Sequence, residues 1–123
     1  GETGPYVQYT HARACSVLRK AGVSDVDFDI DFSLLRDEAS VDVCRVLSEY
    51  PEKLIEASEK YEPYIVTRHI VALCQAFNKF YHDNSILGSD TELRKARIAL
   101  TYAVKTVIYS GLSILGINAP REM

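Results

Sequence analysis

The sequence predicts an all-α fold, an antiparallel bundle of about five helices joined by short connections. Apolar residues recur at the three- and four-residue steps of a helix over most of the chain, with proline and glycine falling between those stretches. Only one segment alternates at the two-residue period of a strand, and it has no second strand to pair with. The 123 residues match the size of one hydrophobic core, and 47% hydrophobic with 25% charged residues is the balance of a soluble globular chain.

Pro5 suits the first turn of a helix, where its missing N–H costs nothing, and no breaker follows until Gly22, so a first helix is expected over Tyr6 to Ala21. At about 100° per residue, Val7, Ala14, Leu18 and Ala21 share an arc of about 60° and form its core stripe. Tyr6, Tyr9, Arg13 and Lys20 share a second, separate arc that the core does not need. From Asp25 to Phe32 acidic and apolar residues alternate, which reads as an extended connector with its aromatic and aliphatic residues tucked against helices. A second helix is expected over Asp37 to Tyr50 with Val43, Val46, Leu47 and Tyr50 on one side, and Pro51 starts a third that ends near Tyr61. The fourth runs from Pro63 to about His82 with Val66, Ile70, Leu73, Phe77 and Phe80 inward. After a polar turn from Asp83 to Gly88, Ser89 and Glu92 have capping-box spacing, and a fifth helix reaches about Leu115 with Leu93, Ala96, Leu100, Ala103 and Val107 inward. The tail from Gly116 contains Pro120, cannot extend that helix, and is expected to fold back over the bundle.

Charge is distributed unevenly. The net charge of −3 argues against a non-specific nucleic-acid binder, yet residues 1–21 and 61–123 each carry +2 while residues 22–60 carry −7. A polyanion is therefore expected to meet the two ends of the sequence and avoid its middle. The longest apolar run, Ile70 to Cys74, falls far short of the ~18–20 residues of a membrane crossing. Cys15, Cys44 and Cys74 are odd in number and widely spaced inside helical patterns, as expected of buried free thiols in a reducing cytosol rather than a disulfide frame or metal site. The sole methionine is Met123 and the chain opens with Gly1-Glu2-Thr3-Gly4, which reads as a C-terminal piece of a longer protein.

No catalytic constellation is visible. His11, His69 and His82 are far apart, without H-E-x-x-H or C-x-x-C spacing, and read as ordinary structural or surface histidines. No glycine-rich loop cradles a phosphate; Gly111 and Gly116 fit close packing and a C-cap at the end of the last helix. The acidic run 25–31 lacks the glycine and terminal glutamate of a calcium loop. Recognition is what remains. On the first helix, tyrosine rings offer flat surfaces on which an unstacked base can lie, worth roughly 1–3 kcal/mol per base, and an arginine adds a rigid fork of donors. The same residues also suit tyrosines packed on a neighbouring helix with wet hydroxyls, and spacing alone leaves both readings open.

The literal string adds to this. Gly4 to Arg13, GPYVQYTHAR, closely resembles the segment that opens the C-terminal anticodon-binding, or DALR, domain of arginyl-tRNA synthetases. The likeness continues through Glu62-Pro63, Phe77 to Tyr81 (FNKFY), Gly111 to Ile117 (GLSILGI) and Pro120 to Met123, leaving only residues 23–60 without a matched motif. The resemblance implies a cytoplasmic parent enzyme that joins arginine to its tRNA with ATP and Mg, through a catalytic domain whose HIGH and KMSK-type motifs do not occur here. It implies that residues 1–123 are the helical domain gripping the anticodon loop. This part is then inactive alone and holds no cofactor; its partners are arginine tRNA and the catalytic domain of the same chain, not DNA or a membrane. The family's RNA contacts fall on Tyr6, Tyr9, Arg13, Tyr81 and Met123, the first three being the face already found on the first helix. Members often carry a further aromatic shortly after the position of Tyr81, whereas His82, Asp83, Asn84 and Ser85 follow here, so either that surface is absent or His82 supplies it.

Arginine anticodons share a central cytosine. The expected mechanism is that this base unstacks, Tyr6 or Tyr9 or both sandwich it, and Arg13 or a backbone amide donates to its O2 and N3. Uracil presents an N–H at that ring nitrogen and leaves donor facing donor, a loss on the order of 1–3 kcal/mol. A main-chain carbonyl of the tail would accept from the cytosine amine, and Met123 would close the pocket with its flexible thioether. Two rival readings are a stand-alone helical protein-interaction module and the related bundle of a cysteinyl or methionyl synthetase.

Overall fold

In the computed structural model the described residues are 3–22, 26 and 28–123. Four helices follow one another: α1 (Thr3–Ala21), α2 (Glu38–Lys60), α3 (Tyr64–Asp83) and α4 (Thr91–Ile114). Among the described residues there is no strand, so the all-α bundle is as expected. His69 with Val46 and Asn84 with Asp37 set α3 antiparallel to α2, Ile70 with Gly111 and Asn84 with Arg97 set it antiparallel to α4, and Asn78 with Tyr6 followed by Tyr81 with Arg13 set it parallel to α1. The core is one cluster in which Val43, Ile70, Leu73, Phe77, Phe80, Val104 and Ile108 are fully buried.

The helices expected on either side of Pro51 are a single helix, α2. Proline removes one ladder hydrogen bond and disfavours helix at the residue before it, together a cost of ~3 kcal/mol. Pro51 lies on the exposed side, and Val43, Val46, Tyr50 and Ala57 continue one buried stripe through it against α3, so packing outweighs the break. Tyr50 also bonds Ser110 of α4 at 2.8 Å, and the His69 ring donates to the Val46 carbonyl at 2.8 Å. Tyr61 then ends the helix in the left-handed region, φ 54°, where its N–H reaches back to the last turn.

All five apolar residues expected inward on α3 are buried. On α4 the phase slips: Ala96 and Leu100 are buried as expected, but Val104 and Ile108 replace Ala103 and Val107, which are only half buried with Leu93. α4 packs against α1, α2 and α3 together, so its buried arc is wide and leaves only a narrow exposed strip through Lys95, Thr106, Tyr109 and Ser113. The cap of α4 is Asp90, whose carboxylate accepts from the Leu93 amide at 3.2 Å, rather than Ser89, whose hydroxyl donates to the Ile86 carbonyl. Either side chain suits a cap, and the carboxylate adds its charge at the positive helix end.

Of the alternating connector, Asp25 and Asp27 lie outside the described residues; Val26 and Ile30 pack on the core and Phe28 meets Tyr102 edge-on at 5.8 Å. Phe28 and Phe32 remain about half exposed, and a single 3-10 turn, Phe32–Leu34, leads into α2. Cys15 and Cys74 are buried free thiols, whereas Cys44 is half-buried. Burial pushes the Cys74 thiol up to about 12.

The close of α4 positions the tail. A Cβ on Gly111 would stand 2.5 Å from Ile70 Cγ1, so its bare backbone lets α3 and α4 approach. Gly116, at φ +72°, turns the chain sharply enough for the Ile117 amide to bond back to the Leu112 carbonyl at 2.8 Å. The tail then runs along α1 in the same direction, as expected of a segment that folds back.

Candidate nucleic-acid interface

Among the described residues, three hydrogen bonds hold the tail on α1. Gln8 donates to the Asn118 carbonyl at 2.9 Å, the His11 ring to the Pro120 carbonyl at 2.8 Å, and Arg19 to the Arg121 carbonyl at 3.1 Å. The tail, together with α4, whose Tyr109 ring lies 6.2 Å from the His11 ring, covers His11, Ala12 and Cys15, which fall outside the expected core stripe. Burial lowers the His11 pKa below its ordinary value, opposed by the bond to Pro120 and reinforced by the positive charges of Lys105 and Arg121, so the ring is neutral at pH 7 and its Nδ1–H is the donor. The same burial raises the Cys15 thiol.

Along the uncovered arc of α1, Tyr9 is 59% exposed, Tyr6 36% exposed, and Arg13 projects to solvent. Arg13 is the hub of the face. Its Nη1 donates to Asn78 Oδ1 at 2.8 Å, and its guanidinium carbon lies 4.5 Å from the Tyr81 ring centroid. Tyr81 is 39% exposed while neighbouring Phe80 is fully buried, so the ring offered to Arg13 is the one the family resemblance assigned. Asn78 in turn donates to the Thr10 hydroxyl at 3.0 Å and the Tyr6 hydroxyl at 3.2 Å, and Thr10 donates to the Tyr6 carbonyl at 3.0 Å. One amide thus ties three residues of α1 to α3, and among the described residues a single donor of the five on Arg13 is engaged.

Two shallow hollows flank Arg13. Tyr9, Arg13 and Met123 line one of about 460 Å³, together with Arg19 and Arg121. Arg13, Lys20 and Tyr81 line the other, of about 430 Å³. Of the five residues singled out from the sequence, Tyr9, Arg13 and Met123 therefore meet around one hollow and Tyr81 joins Arg13 at the next. Tyr6 lines neither, its hydroxyl being held by Asn78, and His82, exposed at the end of α3, lines neither. Asn78, Arg19 and Arg121 were not singled out. Asn78 falls three residues before Tyr81 and so shares its side of α3, but only the packing of α1 on α3 shows what that side faces.

Charge follows the sequence segments into space. Among the described residues α1 and α2 do not touch, so they occupy diagonal corners. The acids of α2 face the far side, where Arg45 pairs with Asp42 and Glu49, and Lys60 with Glu56. The face carrying Arg13, Arg19, Lys20 and Arg121 is left cationic apart from Glu122.

Comparison with known proteins places the chain in a family. The profile of the DALR anticodon binding domain family matches residues 7–123. "Arginine--tRNA ligase" of Clostridioides difficile is 56% identical over 123 residues, which is 100% of this chain and 22% of that protein. The enzyme of the same name from Halothermothrix orenii is 54% identical with the same coverage. The solved structure of Thermus thermophilus arginyl-tRNA synthetase superposes with a TM-score of 0.88 at 32% identity, covering 100% of this chain and 21% of that one. The chain thus spans about a fifth of the length of the curated relatives it matches. By fold and by profile over nearly its full length, the chain belongs to the DALR anticodon binding domain family.

Proposed function

We propose that residues 1–123 are the C-terminal anticodon-binding domain of an arginine–tRNA ligase and that the face of α1 reads the central cytosine of arginine anticodons. The observation that carries this reading is the convergence of Tyr9, Arg13 and Met123 on one hollow, with Arg13 held over Tyr81. A cytosine unstacked from the loop lies against the Tyr9 ring, which is exposed and free of hydrogen bonds, while Tyr6 serves through its hydroxyl anchor to Asn78. The unengaged donors of Arg13 point the chemistry toward acceptors, and cytosine O2 and N3 are acceptors side by side. Uracil places an N–H at N3, so a donor that the bound base itself encloses meets a donor, costing on the order of 1–3 kcal/mol. Met123 supplies a pliable apolar lid and the tail carbonyls supply acceptors for the exocyclic amine.

Aminoacylation in the cytoplasm belongs, in this reading, to the remainder of the parent chain. The sequence here has no glycine-rich phosphate loop, and among the described residues no three His, Cys, Asp or Glu side chains gather in one place; in this reading ATP and Mg belong with that remainder. Among the described residues no helix is long and apolar enough to cross a membrane.

The test is a fluorescence titration of the chain with an arginine anticodon stem-loop and with the same hairpin carrying uracil at the centre. Central cytosine is expected to bind roughly 5- to 150-fold tighter. Tyr9→Ala and Arg13→Ala should each weaken the cytosine hairpin and shrink that ratio. Equal affinity for the two hairpins ends the proposed readout, and unchanged affinity in both variants ends the residue assignment.

A further inference from the structure

A third hollow, of about 320 Å³, lies on the other flank of the tail, between it and α4. His11 and Cys15 form its floor, Tyr102, Lys105 and Tyr109 come from α4, and Arg121 closes it from the tail. Three features distinguish it from an ordinary surface depression. The first is charge. The charged groups that bear on the buried His11 ring are Lys105 and Arg121, both positive, with Arg19 added at Cys15, and among the described residues no carboxylate pairs with Lys105, Arg19 or Arg121. Every ion pair found among the described residues lies on α2, at the end of α3 or at the start of α4.

The second is that the cation is held in place. Lys105 Nζ sits 4.7 Å from the Tyr102 ring centroid, and Tyr102 is itself braced edge-on by Phe28. An ammonium kept over a ring rather than waving in solvent has already lost much of the rotamer freedom that binding an anion would take from it. The third is continuity. Arg121 lines both this hollow and the one formed by Tyr9, Arg13 and Met123, so the two are separated only by the width of the tail. Tyr109, 56% exposed, adds an open ring at the far rim.

Resting on the reading that the first hollow takes an unstacked base, we propose that the hollow between α4 and the tail binds a phosphodiester of the RNA backbone next to that base, with Lys105 and Arg121 as its cationic walls and Tyr109 under the adjoining nucleoside. A strand entering at Tyr9 then crosses the tail over Arg121 and leaves over α4, away from the acids of α2. Such a contact adds affinity without reading sequence, because phosphate is the same at every nucleotide.

This separates the site from the base pocket experimentally. Each phosphate contact on a single strand contributes about 0.7 to the slope of log affinity against log salt, so its loss weakens binding about fivefold at a tenth-molar salt and not at all near one molar. Lys105→Gln, which keeps the stem over Tyr102, is titrated with the cytosine and the uracil hairpins across a salt series beside the unsubstituted chain and Lys105→Arg. The expected result is an equal loss of about fivefold for both hairpins at low salt, a slope shallower by about 0.7, an unchanged cytosine-to-uracil ratio, and recovery in Lys105→Arg. An unsubstituted chain that discriminates the hairpins while Lys105→Gln keeps its affinity and slope overturns this inference and leaves the base pocket standing. A Lys105→Gln loss confined to the cytosine hairpin also overturns it, by making Lys105 a base contact. A chain that binds neither hairpin overturns both readings.

Discussion

Removing the Asn78 side chain is the sharpest perturbation of the proposed base pocket, because Asn78 touches no RNA in that reading and acts only through what it holds. Its carbonyl accepts from Arg13 and its amide donates to Thr10 and Tyr6. In Asn78→Ala the guanidinium keeps its contact with Tyr81, worth about 0.5–1 kcal/mol at an exposed position, but loses the bond that fixes its rotation. A hydrogen bond to a charged group is worth about 1.5–3 kcal/mol, and because Arg13 is exposed only part of that, about 1 kcal/mol, should go from binding, or roughly fivefold in affinity for the cytosine hairpin. Fold stability should fall by about 1 kcal/mol separately, from the part-buried bond to Thr10. The assay is a double-mutant cycle read by fluorescence anisotropy, with thermal melts in parallel. If Asn78 works by orienting Arg13, then in an Arg13→Ala background Asn78→Ala should cost nothing further in binding, a coupling of about 1 kcal/mol. Additive losses would refute the reasoning, since they would mean that Asn78 contributes by a route independent of Arg13.

Two further predictions concern the scaffold. Gly111→Ala should destabilise the fold by about 1–2 kcal/mol in urea denaturation, because overpacking against Ile70 costs about 1–3 kcal/mol and better helix propensity returns at most ~1; a neutral or stabilising outcome would show that α3 and α4 can separate at no cost. His11 makes the docking of the tail depend on pH: its folded pKa lies below its ordinary value near 6.5, so the unfolded state binds more protons in that window, stability is complete above it and declines as pH falls through it toward the folded value. Urea midpoints should therefore drop between pH 7.5 and 5.5, and His11→Gln should flatten that dependence; an unchanged slope in the variant would assign it to another group.

How far the sequence carried differs from element to element, and the reason is physical. α3 was legible because it buries one broad stripe against its neighbours, so Val66, Ile70, Leu73, Phe77 and Phe80 stand out from a polar opposite face. α4 was legible in extent but not in phase, since three helices share its surface and four consecutive residues, Ile98 to Thr101, are all buried. Pro51 misled because the local rule it obeys is real, and only the stripe continuing from Tyr50 to Ala57 shows that tertiary packing overrides it. At the site, the arc of Tyr6, Tyr9 and Arg13 followed from helical spacing alone, while its use and the addition of Tyr81 and Met123 rested on family likeness.

What periodicity could not reveal is contact across the chain, and the site is built from such contact. His11 and Cys15 sit on the arc of α1 opposite to Arg13, and they are buried by side chains of α4 and by a tail more than a hundred positions later in the chain. That tail divides the surface of α1 into a base-sized hollow on one flank and a cationic hollow on the other, with Arg121 common to both. In the proposed reading the last residues therefore serve recognition in two separate ways, as a wall beside Arg13 and as a clamp upon His11. Shortening the tail by its last residue alone should then affect the cytosine hairpin without melting the fold, whereas releasing the Pro120 carbonyl from His11 should disturb both hollows together.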